Sequence, residues 1–130
     1  MKEEIYQTLQ IGKFNLGDIS SISVYRSSNH SVAETAKTLK KVIDVRETTL
    51  ITGDFNVCFL KDQKNPITKI LLDLGFIQLV KDATHIQEGH IDHCYWLDRS
   101  NMWESPELER YSPYHSDHDA LLITLKKKSN

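Results

Sequence analysis

Thr49-Leu50-Ile51-Thr52-Gly53-Asp54-Phe55-Asn56 is the stretch on which the reading of this chain turns. A short aliphatic and β-branched run reads as a strand, and it ends in Gly-Asp-Phe-Asn. Where a strand runs out into a loop, alternate residues point the same way. Asp54 and Asn56 then face one site while Phe55 packs inward, and Gly53 lets the backbone turn without a Cβ clash. A carboxylate can accept a proton from water, and an amide can donate to a phosphate oxygen. On its own the string also fits an ordinary Asx-rich turn.

Two further strings repeat the arrangement. Ile91-Asp92-His93 precedes the apolar run Cys94-Tyr95-Trp96-Leu97, and Ser116-Asp117-His118 precedes Ala120-Leu121-Leu122-Ile123. Three strand ends can therefore bring Asp54, Asn56, Asp92, Asp117 and His118 to one edge of a sheet. A carboxylate beside a neutral histidine fixes its tautomer and stabilises the imidazolium. Carboxylate oxygens suit Mg²⁺ or Mn²⁺. Together these are the groups needed to hold a divalent metal and attack a phosphate.

The flanking segments read as one α/β unit. Residues 5–11 and 19–25 are strand candidates joined by a turn-rich stretch, 12–18, as in a hairpin. Ser31 and Glu34 fit a capping box, and Val32, Ala36, Leu39 and Ile43 follow at helical spacing. Asn65-Pro66 starts a second helix, with proline at its first position. That helix presents Ile67, Ile70, Leu71 and Leu74 and stops at Gly75. Residues 76–80 form a short extended piece, residues 91–97 and 118–125 close the chain as strands, and 108–111 is a weaker strand candidate. The order predicts a sheet covered by helices on one face.

Composition sets the bounds. The 130 residues fit a single domain, with 39% hydrophobic and 26% charged content as in soluble globular proteins. A net charge of -2 supplies no global basic field for nucleic acid, so any such contact is local or metal-borne. Lys126-Lys127-Lys128 reads as a solvated, frayed end. Cys58 and Cys94 form no CxxC and no disulfide framework; as buried free thiols they suit a reducing compartment. No apolar run approaches the ~18 residues of a membrane span. The acidic start, Met1-Lys2-Glu3-Glu4, is not a signal peptide. The expected address is intracellular, the nucleus being one compartment that fits. Zinc is a rival reading, since His85, His90, His93, Cys94, His115 and His118 are all potential ligands, but the paired cysteines of structural zinc sites are absent.

The order and spacing of Gly53-Asp54-Phe55-Asn56, Gly89-His90-Ile91-Asp92-His93 and Ser116-Asp117-His118 resemble the endonuclease/exonuclease/phosphatase superfamily, the DNase I-like fold. Tyr25-Arg26, at the end of a strand, resembles a further family segment whose tyrosine hydroxyl lies near the scissile phosphate, though Tyr25 also fits plain packing. Thr84-His85 resembles a segment of less defined role. The wording looks most like endonucleases of mobile elements such as retrotransposons. The resemblance implies metal-dependent phosphodiester hydrolysis with Mg²⁺ or Mn²⁺. The catalytic set would be Tyr25, Asp54, Asn56, Asp92 and His118, with Asp54 and Asp117 on the metal and DNA as the partner. It also admits phosphatase-type members, because fold and polar core do not fix substrate.

The resemblance runs from about residue 19 to 125 and matches only the C-terminal half of the superfamily's four-layer α/β sandwich, mainly antiparallel sheet with helices on one face. The N-terminal half brings an early Asn and a metal-binding Glu, for which Glu3 and Glu4 lack the context. The expectation is therefore a partial domain spanning residues 1–130. Its activity would be impaired, or it would be an inactive remnant that binds metal or nucleic acid weakly. A half sandwich should also leave Ile, Val and Leu bare on one sheet face and invite self-association.

Overall fold

The computed structural model describes residues 9–27, 30–55, 65–79, 92–111 and 120–128. Nine elements follow in order: β1 (Leu9–Leu16), β2 (Ile19–Arg26), α1 (Val32–Val42), β3 (Thr49–Asp54), α2 (Pro66–Asp73), β4 (Ile77–Gln78), β5 (Asp92–Leu97), β6 (Glu107–Tyr111) and β7 (Ala120–Thr124). They form two compact units, residues 1–99 and 100–130.

In the first unit β1-β2-β3-β5-β4 make one sheet. β2 and β3 are parallel, and the other three pairings are antiparallel. The β1–β2 hairpin turns through only two residues, with Gly17 at φ +63, the left-handed region that glycine enters freely. The turn expected over residues 12–18 is thus mostly strand. Lys13, Asn15 and Gly12 look like turn residues in sequence, yet they lie on an exposed edge strand, where polar side chains cost nothing.

The helices form where their caps say. Ser31 accepts from the Glu34 amide at 3.1 Å, and α1 carries Glu34 in its first turn and Lys40 and Lys41 in its last, each favourable to the helix dipole. Lys13 Nζ, 3.3 Å from Glu47, donates to the Val42 carbonyl at 3.0 Å. Asn65 accepts from the Thr68 amide at 2.9 Å. Gly75, at φ +104, ends α2: the Gly75 amide donates to Leu72 and the Phe76 amide to Leu71, both at 3.0 Å. This pair of bonds is a Schellman motif.

One face of the sheet and both helices share a core. Ile22, Val24, Ile51, Tyr95 and Leu97 from the strands meet Ala36, Leu39, Ile67 and Leu71 from the helices, with Phe55 and Phe76. Burying a side chain such as Ile51 completely contributes about 1.5–3 kcal/mol.

The opposite sheet face carries less bare apolar surface than a half sandwich was expected to leave. The alternation in β2, Ile19-Ser20-Ser21-Ile22-Ser23-Val24, turns Ile22 and Val24 to the helices and Ser21 and Ser23 to the other side. Leu50, Cys94 and Trp96 lie on that side and are buried. The large apolar residues exposed there are Phe14 and Leu16 on β1, Tyr25 on β2 and Ile77 on β4.

In the second unit β6 and β7 pair antiparallel. The ladder extends beyond them through a Trp103–Lys127 bridge. Among the described residues no helix is long and apolar enough to cross a membrane.

Candidate functional site

The register of the sheet assembles the site. Gln10 stands opposite Tyr25, Tyr25 beside Asp54, and Asp54 opposite Asp92. Residues aligned across a sheet share a face, so these four positions form one row on the side away from the helices. Residues 25, 54 and 92, distant in sequence, thus stand in one row across β2, β3 and β5. Tyr25 is exposed and Asp54 half-buried. Asn56, Asp117 and His118 lie outside the described residues, as do Thr84 and His85.

The row is held from behind by three features. The first is a close backbone approach at Gly53, the register partner of Val24. A Cβ there would come within 2.8 Å of the Val24 carbonyl carbon and 2.9 Å of its nitrogen, and closer still to its oxygen. Only glycine lets β3 lie this tightly against β2 immediately before Asp54.

The second is Arg26, buried on the helix side. Its guanidinium donates to the Phe55 carbonyl at 2.9 Å and to the His30 carbonyl at 2.6 Å. It therefore ties the exit of β3 to the approach to α1. Burial lowers its pKa, while the neighbouring Asp54 carboxylate pulls the other way. Sequence reading quoted Arg26 only beside Tyr25. The signal for its role was a strand-end arginine one residue out of phase with the exposed tyrosine.

The third is a buried polar chain. His93 Nδ1 lies 2.8 Å from the Tyr95 hydroxyl, which lies 3.2 Å from Thr68 Oγ1. The Asn65 side-chain amide in turn donates to Thr68 Oγ1 at 3.0 Å. Phe55 stacks on the His93 ring at 4.9 Å between centroids. The N-cap of α2 is thereby linked to β5 and to the residue that follows Asp54. Histidine in the Asp92-His93 string is a core residue facing the helices, a role its alternation with Asp92 would have indicated.

Two carboxylates at opposed register positions repel, and their oxygens suit a hard divalent cation. Asp54 and Asp92 occupy opposed register positions on β3 and β5. Among the described residues no three His, Cys, Asp or Glu side chains gather as a metal cage. The zinc alternative gains nothing from β5: His93 is engaged with Tyr95, and burial pushes the Cys94 thiol up to about 12, whereas zinc takes the thiolate.

The chain is similar in structure to the endonuclease domain of TRAS1, a telomere-specific non-LTR retrotransposon, with a TM-score of 0.63 and 15% identity; the alignment covers 88% of this chain and 60% of that one. It thus spans less than two thirds of that domain's length. No family model matches the sequence, and no curated protein does.

Proposed function

We propose that this chain, whose fold is DNase I-like, belongs to a metal-dependent phosphodiesterase that cuts DNA. The observation that carries the reading is the row Tyr25–Asp54–Asp92 across β2, β3 and β5, set on a glycine that only close strand contact requires. The likeness to a retrotransposon endonuclease domain supports DNA over other phosphodiesters, and a mobile-element origin accords with it.

In this reading Asp54 orients the attacking water and takes its proton. Asn56 and His118 donate to the phosphoryl oxygens as charge builds. Asp92 fixes the His118 imidazole, and Tyr25 positions the phosphate with its hydroxyl. Asp54 and Asp117 would hold the Mg²⁺ or Mn²⁺, which when bound polarises the phosphate and stabilises the leaving oxygen. The 130 residues offer no match to the family's early Asn and metal-binding Glu. That, with the 60% coverage, favours a second reading in which the chain alone binds without turning over.

The test is nicking of supercoiled plasmid by the purified chain with Mg²⁺, beside Asp54→Ala, with circular dichroism on both. Mg²⁺-dependent nicking that vanishes in the variant supports hydrolysis by this chain. Folded protein that never nicks refutes it and leaves the binding reading.

A further inference from the structure

The three lysines at residues 126–128 were expected to form a solvated, frayed end; they are exposed, but their backbone is paired. Residues 102–104 pair with residues 126–128 beyond the β6–β7 hairpin. The Glu104 amide donates to the Lys126 carbonyl and the Lys128 amide to the Met102 carbonyl, both at 2.8 Å. Trp103 and Lys127 form the bridge between these bonds.

The side chains are held as well. Lys127 Nζ lies 5.5 Å from the centre of the Trp103 ring, within cation–π range. Lys128 Nζ donates to Asn101 Oδ1 at 2.8 Å. Asn101 itself is at φ 58, a left-handed conformation that asparagine tolerates. All three lysines are exposed, and Glu104 is the one acid on the paired segment.

We infer that this ribbon of residues 102–104 and 126–128 is a contact for the phosphate backbone of DNA. Lys126 and Lys128 share one face of the extended strand, ~6.6 Å apart, close to the ~6.8 Å of axis between alternate phosphates along one DNA strand, while Lys127 lies on the other face. An ammonium has three donors, so Lys128 keeps hydrogens for phosphate while held by Asn101. Being held matters, because ordering a free lysine costs rotamer entropy. With a chain charge of -2 there is no long-range pull, so such a contact is local, made by a few cations carried on a paired strand. The inference rests on the reading that DNA is the partner, but it concerns binding and not cleavage.

The experiment is fluorescence anisotropy of the full chain on a labelled duplex in EDTA, across a range of salt concentrations. It compares the wild type with a triple variant (Lys126→Gln, Lys127→Gln and Lys128→Gln) and with the matching triple arginine variant. Each phosphate contact contributes about −0.9 to the slope of log affinity against log salt. The glutamine variant should lose about 2 of that slope, and the arginine variant should retain it. An unchanged slope in the glutamine variant overturns the ribbon while leaving the nuclease reading intact. A wild type that does not bind duplex overturns the ribbon too, and plasmid nicking then decides the nuclease reading separately. Loss of slope in both triple variants would mark damage to the hairpin and also refute the inference.

Discussion

Gly53→Ala should be among the most damaging single changes available in the sheet. The added Cβ meets three backbone atoms of Val24, and a paired strand cannot rotate away as a side-chain tip can. Relief requires separating β2 from β3 at Val24↔Gly53 and Tyr25↔Asp54, the last rows of their pairing. Overpacking costs about 1–3 kcal/mol, and each ladder hydrogen bond given up costs about 0.5–1.5 kcal/mol more. The sum is about 2–5 kcal/mol. With a urea slope of about 1.5 kcal/mol/M, the midpoint should fall by roughly 1.5–3 M. Gly12→Ala is the matched control: it is also a strand glycine, but nothing lies within 4 Å of its Cβ. There the smaller entropy of the unfolded chain should leave stability unchanged or raised by up to about 1 kcal/mol. Urea melts of both variants followed by circular dichroism make the comparison. Equal midpoints would refute the close approach of β3 to β2, and with it the account of how Asp54 is placed.

Tyr95→Phe removes the hydroxyl between His93 and Thr68 and should cost about 1–3 kcal/mol in the same melt. A neutral result would mean that the polar chain is not what secures α2 to β5. Burial raises both the Cys94 thiol and the Tyr95 phenol to about 12. The unfolded chain releases those protons first, from about pH 8.5 for cysteine and about 10 for tyrosine. Their contribution is therefore complete below pH 8.5 and is lost as pH rises toward 12. Urea midpoints that stay flat to pH 11 would contradict their burial. Asp54→Asn should abolish nicking while leaving the circular dichroism spectrum unchanged. Mg²⁺ should raise the wild-type melting temperature by mass action and leave that of the variant unmoved; an equal rise in both would place the ion elsewhere.

How far the sequence was legible differs from element to element. The caps were explicit, because Ser31, Asn65-Pro66 and Gly75 each solve a local backbone problem that few residues can solve. Of the three strand-end strings, two contribute Asp54 and Asp92, which stand opposite each other across β3 and β5; the third, residues 116–118, lies outside the described residues. The pairing that aligns them was not legible, since register is a property of two segments and neither contains it. β1 was foreshortened because exposed edge strands tolerate turn-like residues. The lysine row was misread for a similar reason: its partner, Met102 to Glu104, lies over 20 residues away and has no strand signal of its own. Arg26 was hidden in a different way. A buried cation reads as surface until its acceptors, two backbone carbonyls, are seen.

The order in which the sheet is threaded also governs when the site can exist. The β1–β2 hairpin closes through two residues, an event of about 1–10 μs for such hairpins. β3 and β5 are joined only after the chain between them, α2 and β4 included, has been gathered in, so Asp54 and Asp92 meet through a far less local contact. Pairings of that kind come late and at entropic cost. A folding intermediate with β1, β2 and α1 in place would present Tyr25 without its carboxylates. It would have the shape of half the sheet and none of the chemistry.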